Sequence, residues 1–313
     1  MSSRSLIALS AVTFAAAFLL TACGGDDGDG TSGDRSSGPR IVVTTTQLGD
    51  LAREVAGDRA PVTQILEPNS DPHEYEPRPS DVKALSDAAV VVRSGGDLDE
   101  WLGDVLDNAG NDAKTLTLID ALQTRRLPDE VDPHWWQNPR NGVIAVEHIR
   151  NALVAADPQG RDAYAANAAA YADELRALDG AIEACIDAVP AQRRKLVTDH
   201  DALGYYADRY AIKVIGTIIP ALSTQAQASA GEVTRLVRTI RAERVTTIFS
   251  ESSVNPKLAR AIARESGARL GPNLYADTLG PEGSTGETYI GSLKANTEAL
   301  VAGFTGRAAA CRL

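Results

Sequence analysis

Ile41-Val42-Val43-Thr44-Thr45, followed almost at once by Leu48-Gly49-Asp50-Leu51-Ala52-Arg53-Glu54-Val55-Ala56, decides the fold. The first run is β-branched and mostly aliphatic, the composition of a strand covered on both faces. The second spaces its apolar residues as a helix with one buried face does. A buried strand feeding an amphipathic helix is the unit of a parallel α/β sheet. The unit recurs, with strands expected at Val62 to Leu66, Ala89 to Arg93 and Thr115 to Leu118 and helices at Val82 to Ser86 and Leu98 to Asn108. The second half repeats the style. Lys195 to Thr198, Ile212 to Ile219 and Val245 to Ser250 read as strands, and Ala202 to Tyr210, Glu232 to Ala242, Pro256 to Glu265 and Thr288 to Phe304 as helices. Ser229 and Glu232 have capping-box spacing, and Asn255-Pro256 reads as a cap with Pro at the first helical position.

Arg161 to Val189 separates these halves. It is rich in Ala, Leu, Tyr, Glu and Asp and has no Pro, so summed propensity favours one long helix, either a connector or a packing helix. The expected organisation is therefore an export signal at 1–22, a flexible tether at 23–38, an α/β lobe at 39–160, a connecting helix at 161–189 and a second α/β lobe at 190–313.

The amino-terminal part rests on composition. Leu6 to Leu20 is mostly apolar after the single basic Arg4, too short and wrongly flanked for a membrane span, and reads as a signal peptide. It ends Leu20-Thr21-Ala22-Cys23-Gly24, which resembles a bacterial lipobox, so Cys23 is the expected lipidation site of a mature protein anchored on the outer face of the cell membrane. Gly24 to Gly38 is almost wholly Gly, Asp, Ser and Thr, with nothing to bury. The formal charge is −11, and an acidic chain without a basic run argues against nucleic acid as a partner. Beyond Cys23 the cysteines are Cys185 and Cys311, which in an oxidising compartment form a candidate disulfide; two buried thiols are the alternative.

Chemistry enters with histidine. Of four in the chain, three sit beside aspartate in short loops: Asp71-Pro72-His73, Asp132-Pro133-His134 and Asp199-His200-Asp201. One Asp-Pro-His is often only a turn, because Pro fixes φ and Asp bonds nearby amides. Three such loops in one chain instead point to a shared transition-metal site. His148 lies in the helical stretch Gly142 to Ala156 and reads as a surface or packing residue. In open parallel sheets, ligands bind beyond the carboxyl ends of strands. A fourth ligand is therefore sought at late strand ends, where Glu251 and Asp277 are the candidates.

Five ordered motifs then match a family: Pro68-Asn69-Ser70-Asp71-Pro72-His73-Glu74-Tyr75-Glu76-Pro77, Asp132-Pro133-His134-Trp135-Trp136-Gln137-Asn138-Pro139, Asp199-His200-Asp201-Ala202-Leu203-Gly204-Tyr205, Phe249-Ser250-Glu251-Ser252 and Asp277-Thr278-Leu279-Gly280-Pro281-Glu282-Gly283. Over Arg40 to Phe304 the sequence resembles the metal-binding receptors of bacterial zinc and manganese ABC importers, the TroA and ZnuA type. That resemblance implies metal ligands at His73, His134, His200 and Asp277, with Glu251 as a supporting or alternate acidic group. It also implies two lobes joined by a long helix, with the metal in the cleft between them, and a monomer that serves an ABC permease and its ATPase. Some residues depart from the pattern. The third motif carries histidine where manganese receptors often have glutamate, no histidine-rich loop separates the first two motifs, and Trp136-Gln137 stands where an aliphatic usually follows the Trp of the second motif.

Three imidazoles and one carboxylate form a nitrogen-rich set that suits four-coordinate zinc, whereas manganese prefers more oxygen. Zinc is the expected ion and manganese the alternative, which a bidentate Asp277 could accommodate. A zinc hydrolase is the competing class, but the chain lacks a His-Glu-x-x-His helix and a fourth protein ligand closes the coordination sphere. A purely structural zinc is disfavoured because a globular region of this size buries a sufficient core without one. Ser223 to Gly231, rich in small residues, reads as a loop near His200, either a gate or plain surface.

Overall fold

The computed structural model describes residues 38–313 apart from 129 and 309. The expected signal, Cys23 and nearly all of the tether lie outside the described residues. Strand β1 (Ile41–Val43) is buried along its whole length, as its composition requires. It is flanked by β2 (Val62–Gln64) and β3 (Val90–Arg93), and β4 (Lys114–Thr117) completes an all-parallel sheet of order β2-β1-β3-β4. The central strands read IVV and VVVR; the edge strands read VTQ and KTLT and are half exposed, as edge positions tolerate. The strand expected to reach Thr45 stops at Val43 because Thr45 caps helix α1 (Thr46–Ala56), its hydroxyl accepting the Leu48 amide. The strand expected to reach Leu66 ends at Gln64, although the amides of Ile65 and Leu66 still donate to the carbonyls of Val43 and Thr44.

Helix α2 (Pro79–Ser86) follows β2. The helix expected over Leu98 to Asn108 is broken: a short 3-10 turn at Gly96–Asp99 precedes α3 (Leu102–Ala109). Asp99 is the reason. Its buried carboxylate accepts from the Ser94 amide at 2.6 Å, the Gly95 amide at 3.0 Å and the Thr44 hydroxyl at 2.8 Å, which ties the turn back onto the strand ends. Helix α4 (Pro139–Ala156) opens on Asn138, whose side chain accepts the Arg140 amide, with Pro139 in the first turn. His148 is half-buried in α4.

The long segment is one helix, α5 (Arg161–Asp187), of 27 residues and therefore about 40 Å long. The second half carries β5 (Lys195–Thr198), α6 (Gly204–Arg209), β6 (Lys213–Thr217), α7 (Ala230–Glu243), β7 (Thr247–Ile248), α8 (Lys257–Ser266), β8 (Arg269–Leu270) and α9 (Tyr289–Thr305). Pairs β5-β6 and β7-β8 are parallel, and the Phe249 amide donates to the Val197 carbonyl at 2.9 Å, joining the pairs. Ser229 and Glu232 form a reciprocal capping box at α7. At α8 the expected start shifts by one residue: the helix begins at Lys257 and Pro256 lies outside it, while the Asn255 side chain accepts the Lys257 amide at 3.1 Å. Strand β8 has only two residues, too few to leave a periodic signature.

Helix α5 binds both halves. Tyr171 donates to Asp50 of α1 at 3.0 Å, and Asp50 also accepts the first amide of α9, Tyr289, at 2.9 Å. Asp179 accepts from Arg140 of α4, Arg209 of α6 and Tyr210. One apolar core runs without interruption from Ile41 and Val43 through Trp135, Leu175 and Ile182 to Phe249, Tyr289 and Phe304. Each lobe has a smaller core of its own, around Val91 and Leu102 in the first and Val237 and Ile262 in the second. The lobes are thus parts of one packed body.

Cys185 near the end of α5 is joined to Cys311 near the carboxyl terminus, with Cα atoms 5.7 Å apart and a sequence separation of 126. Closing so long a loop restricts the unfolded chain strongly. Replacing both cysteines by alanine is expected to lower the free energy of unfolding by about 2–5 kcal/mol. Urea denaturation of the oxidised wild type and the double variant checks this, and equal midpoints would contradict it.

Candidate metal centre

Both Asp-Pro-His loops are turns and also present an imidazole. Pro72–Glu74 is a single 3-10 turn capped by Asp71, whose Oδ1 accepts the His73 amide at 3.0 Å. The other Asp71 oxygen accepts the Thr224 hydroxyl at 2.7 Å, and the Gln225 side-chain amide donates to the His73 carbonyl. The loop expected over 223–231 ends at Ser229, the cap of α7, and its Thr224 and Gln225 bond it onto the His73 turn. In the second loop, Asp132 Oδ1 accepts the His134 amide at 3.0 Å and lies 2.8 Å from His134 Nδ1. At the end of β5 the same arrangement is built from two strands. Glu251, past β7, accepts the His200 amide at 3.0 Å and meets His200 Nδ1 at 2.6 Å, while Asp199 accepts the Glu251 amide at 2.8 Å.

A carboxylate on Nδ1 fixes the ring and leaves Nε2 for the centre. The Nε2 atoms of His134 and His200 stand 3.3 Å apart. Asp277 completes the group: one oxygen is 3.3 Å from His134 Nε2, and the other is 3.2 Å from His200 Nε2 and 3.7 Å from His73 Nε2. One ligand atom from each of the four residues lies within 4.8 Å of all the others. Two atoms each 2.0–2.1 Å from one tetrahedral ion stand about 3.3 Å apart, so the spacings among His134, His200 and Asp277 fit a single small cation, with His73 somewhat farther out.

Polar satisfaction points the same way. Both Asp277 oxygens and His73 Nε2 are buried and, among the described residues, aligned with no hydrogen-bond donor or acceptor, a costly state for three atoms that face one another. Burial holds His73 down at a pKa of about 4. Burial also disfavours the charged form of His134, but the hydrogen bond to Asp132 and the charges of Asp277 and Asp132 outweigh it and hold the imidazole at about 9. His200 is raised well above its ordinary value, the charges of Asp277 and Glu251 outweighing burial. Asp277 is held well below the carboxylate range, the two imidazoles outweighing its burial. Burial and the Glu251 charge push Asp199 up to about 7.

Glu251 sits behind His200, outside the four-residue group. Arg125 was not legible as a site residue. Its guanidinium bonds Asp132 at 2.9 Å and Asp208 at 3.2 Å and lies 3.7 Å from Asp201, linking the His134 and His200 loops. It packs so closely over Gly204 that any Cβ there would meet it, which accounts for glycine at that position. A cavity of about 460 Å³, lined by Tyr75, Asp97, Glu100, Trp101 and Gln225, opens against His73. Among the described residues, no helix is long and apolar enough to cross a membrane.

Residues 41–303 match the family model described as ZnuA, zinc-uptake complex component A, periplasmic. The chain is 34% identical to the manganese-binding lipoprotein MntA of Halalkalibacterium halodurans over 96% of this chain and 99% of that one. It is 31% identical to the iron-binding protein YfeA of Yersinia pestis, over 85% and 86% of the two chains. Its structure resembles the periplasmic zinc-binding protein TroA of Treponema pallidum with a TM-score of 0.80 and 26% identity, covering 85% of this chain and 99% of that one. The two-lobed α/β fold, the gathered imidazoles and these likenesses agree: the chain belongs to the ZnuA family of extracytoplasmic metal-binding receptors of ABC importers, and is not an enzyme.

Proposed function

We propose that the protein captures zinc through His73, His134, His200 and Asp277 and delivers it to an ABC permease and its ATPase. One observation carries this reading: three imidazole nitrogens and a buried carboxylate converge, one ligand atom from each within 4.8 Å of the others, and among the described residues nothing but the imidazoles faces the carboxylate. Neutral imidazoles are the ligands zinc favours, and zinc exceeds manganese in affinity at nitrogen-rich sites. Glu251 and Asp132 hold His200 and His134 in place from behind. The ligands divide between the proposed lobes, 39–160 and 190–313, so binding is coupled to their relative tilt, with the helix at 161–189 limiting closure. Lipidation at Cys23 anchors the protein as a monomer on the outer face of the membrane, and the tether gives it reach toward the permease.

Manganese is the second reading. Both Asp277 oxygens are free to bind, which allows more oxygen in the coordination sphere, and the MntA relatives bear manganese-binding names. Elemental analysis of the purified protein, with zinc–manganese competition, separates the two readings. Zinc is expected to displace manganese at equal concentration, and the reverse would overturn the assignment. Asp277→Ala is expected to weaken zinc binding by more than about 100-fold, beyond the cost of disturbing a supporting residue, while the metal-free protein remains folded. Unchanged affinity in this variant would remove Asp277 from the ligand set.

The pKa directions set the pH dependence. His134, held near 9 against about 6.5 in an unfolded chain, stabilises the metal-free fold in full below pH 6.5 and loses that contribution as pH rises toward 9. His200 is raised in the same sense. Zinc needs both imidazoles neutral, so each ion bound near pH 7 releases about two protons. The melting temperature in chelator is therefore expected to fall from pH 6.5 to 8.5 while the increment given by zinc grows. Calorimetric melting with and without zinc measures both, and a zinc increment independent of pH would refute the account.

A further inference from the structure

Trp136 and Gln137, the residues that depart from the family pattern, meet a single atom in the structure. Trp136 Nε1 donates to the Ala276 carbonyl at 2.8 Å, and Gln137 Nε2 donates to the same oxygen at 2.6 Å. The Tyr275 carbonyl lies 3.4 Å from Gln137 Nε2. Both side chains are almost fully buried, Trp136 at 2% and Gln137 at 1% exposure. The acceptor belongs to the peptide unit that leads into Asp277. Because that unit is planar, holding its oxygen holds the plane from which the Asp277 Cα projects.

We propose that Gln137, together with Trp136, is a latch that positions the Asp277 carboxylate and so sets how long the receptor retains its ion. The proposal rests on Asp277 being a ligand. Apart from the imidazoles it faces, the carboxylate meets no hydrogen-bond donor among the described residues, so its position rests on the backbone that carries it. That backbone is held on both sides. Asn296 bonds the amide and carbonyl of Tyr275 at 2.8 Å each, the Leu279 amide donates to the Thr46 hydroxyl at 2.9 Å, and the Thr278 hydroxyl accepts the Asn69 amide at 2.9 Å. The latch supplies the contact nearest Asp277. It also joins two ligand loops, since its donors follow His134 by two and three residues while its acceptor precedes Asp277.

Chemistry explains why Gln137 stands here. Two carbonyls face its amide, so only the NH2 end can point at them. An aliphatic residue would fill the space without bonding Ala276, and a glutamate would set acceptor against acceptor. Gln137 Oε1 is buried without a partner, a cost a space-filling residue would avoid. The donor is what the position gains.

The test compares Gln137→Met, Trp136→Phe, their double variant and Asp277→Ala with the wild type. Zinc affinity is measured by chelator competition, zinc release by stopped flow into excess chelator, and coordination by the visible absorption of the cobalt(II) form. Gln137→Met is expected to weaken zinc about 10-fold through faster release and to alter the cobalt spectrum, the range found for groups that orient a ligand. Trp136→Phe is expected to act in the same direction, and it carries the test if Gln137→Met fails to fold. Wild-type affinity and cobalt spectrum in both single variants would overturn the latch, whatever their melting temperatures. Unchanged affinity in Asp277→Ala would instead overturn the ligand reading, and the latch with it.

Discussion

A carboxylate buried against three imidazoles is the constraint around which this molecule is organised. Asp277 is 1% exposed and lies between 3.2 and 3.7 Å from the Nε2 atoms of His73, His134 and His200. Protons held on His134 and His200 make this burial tolerable, which is why these imidazoles are pushed up and Asp277 down. A divalent cation can replace those protons as counter-charge. On the proposed ligand set, metal binding would exchange positive charge beside the carboxylates of Asp132, Glu251 and Asp277.

Such a shell must be rigid, because buried charges separated by small shifts lose their partners at high cost. The fold supplies the rigidity by sharing its core between lobes. The continuous cluster from β1 to α9, the Asp50 and Asp179 hubs on either side of α5, and Arg125 between the two histidine loops all cross the boundary between halves. Large hinge opening would break these together. On the proposed ligand set, the parts least tied into this shared core are the His73 turn and the Asp277 segment. The His73 turn borders a cavity and is held by Thr224 and Gln225 of the loop before α7, and the Asp277 segment is joined by hydrogen bonds to the first half of the chain.

Much of this was legible in the sequence. β-Branched runs gave the central strands, Ser229 with Glu232 gave the start of α7, and the length of 161–187 without proline gave α5. The histidines stood out because each is preceded or followed by an aspartate. That local chemistry is real: Asp71 and Asp132 each accept the amide two residues on. The strand expected over Val245 to Ser250 is present only as Thr247–Ile248, the two residues of β8 left too few for any periodicity, and Asp99 broke a helix through bonds to residues in the preceding loop and strand end.

The sequence by itself determined which groups could act, an acidic chain whose few histidines lie in aspartate-bearing loops, because short-range hydrogen bonds and strand-end placement are properties of neighbours in sequence. Only the tertiary structure decided which acid faces the imidazoles. Glu251 and Asp277 were equal candidates on the strand pattern, yet one turns to His200 Nδ1 and the other to the three Nε2 atoms. The difference lies in contacts 51 to 140 residues apart, from Glu251 to His200 and from Trp136 to Ala276, which no local spacing encodes.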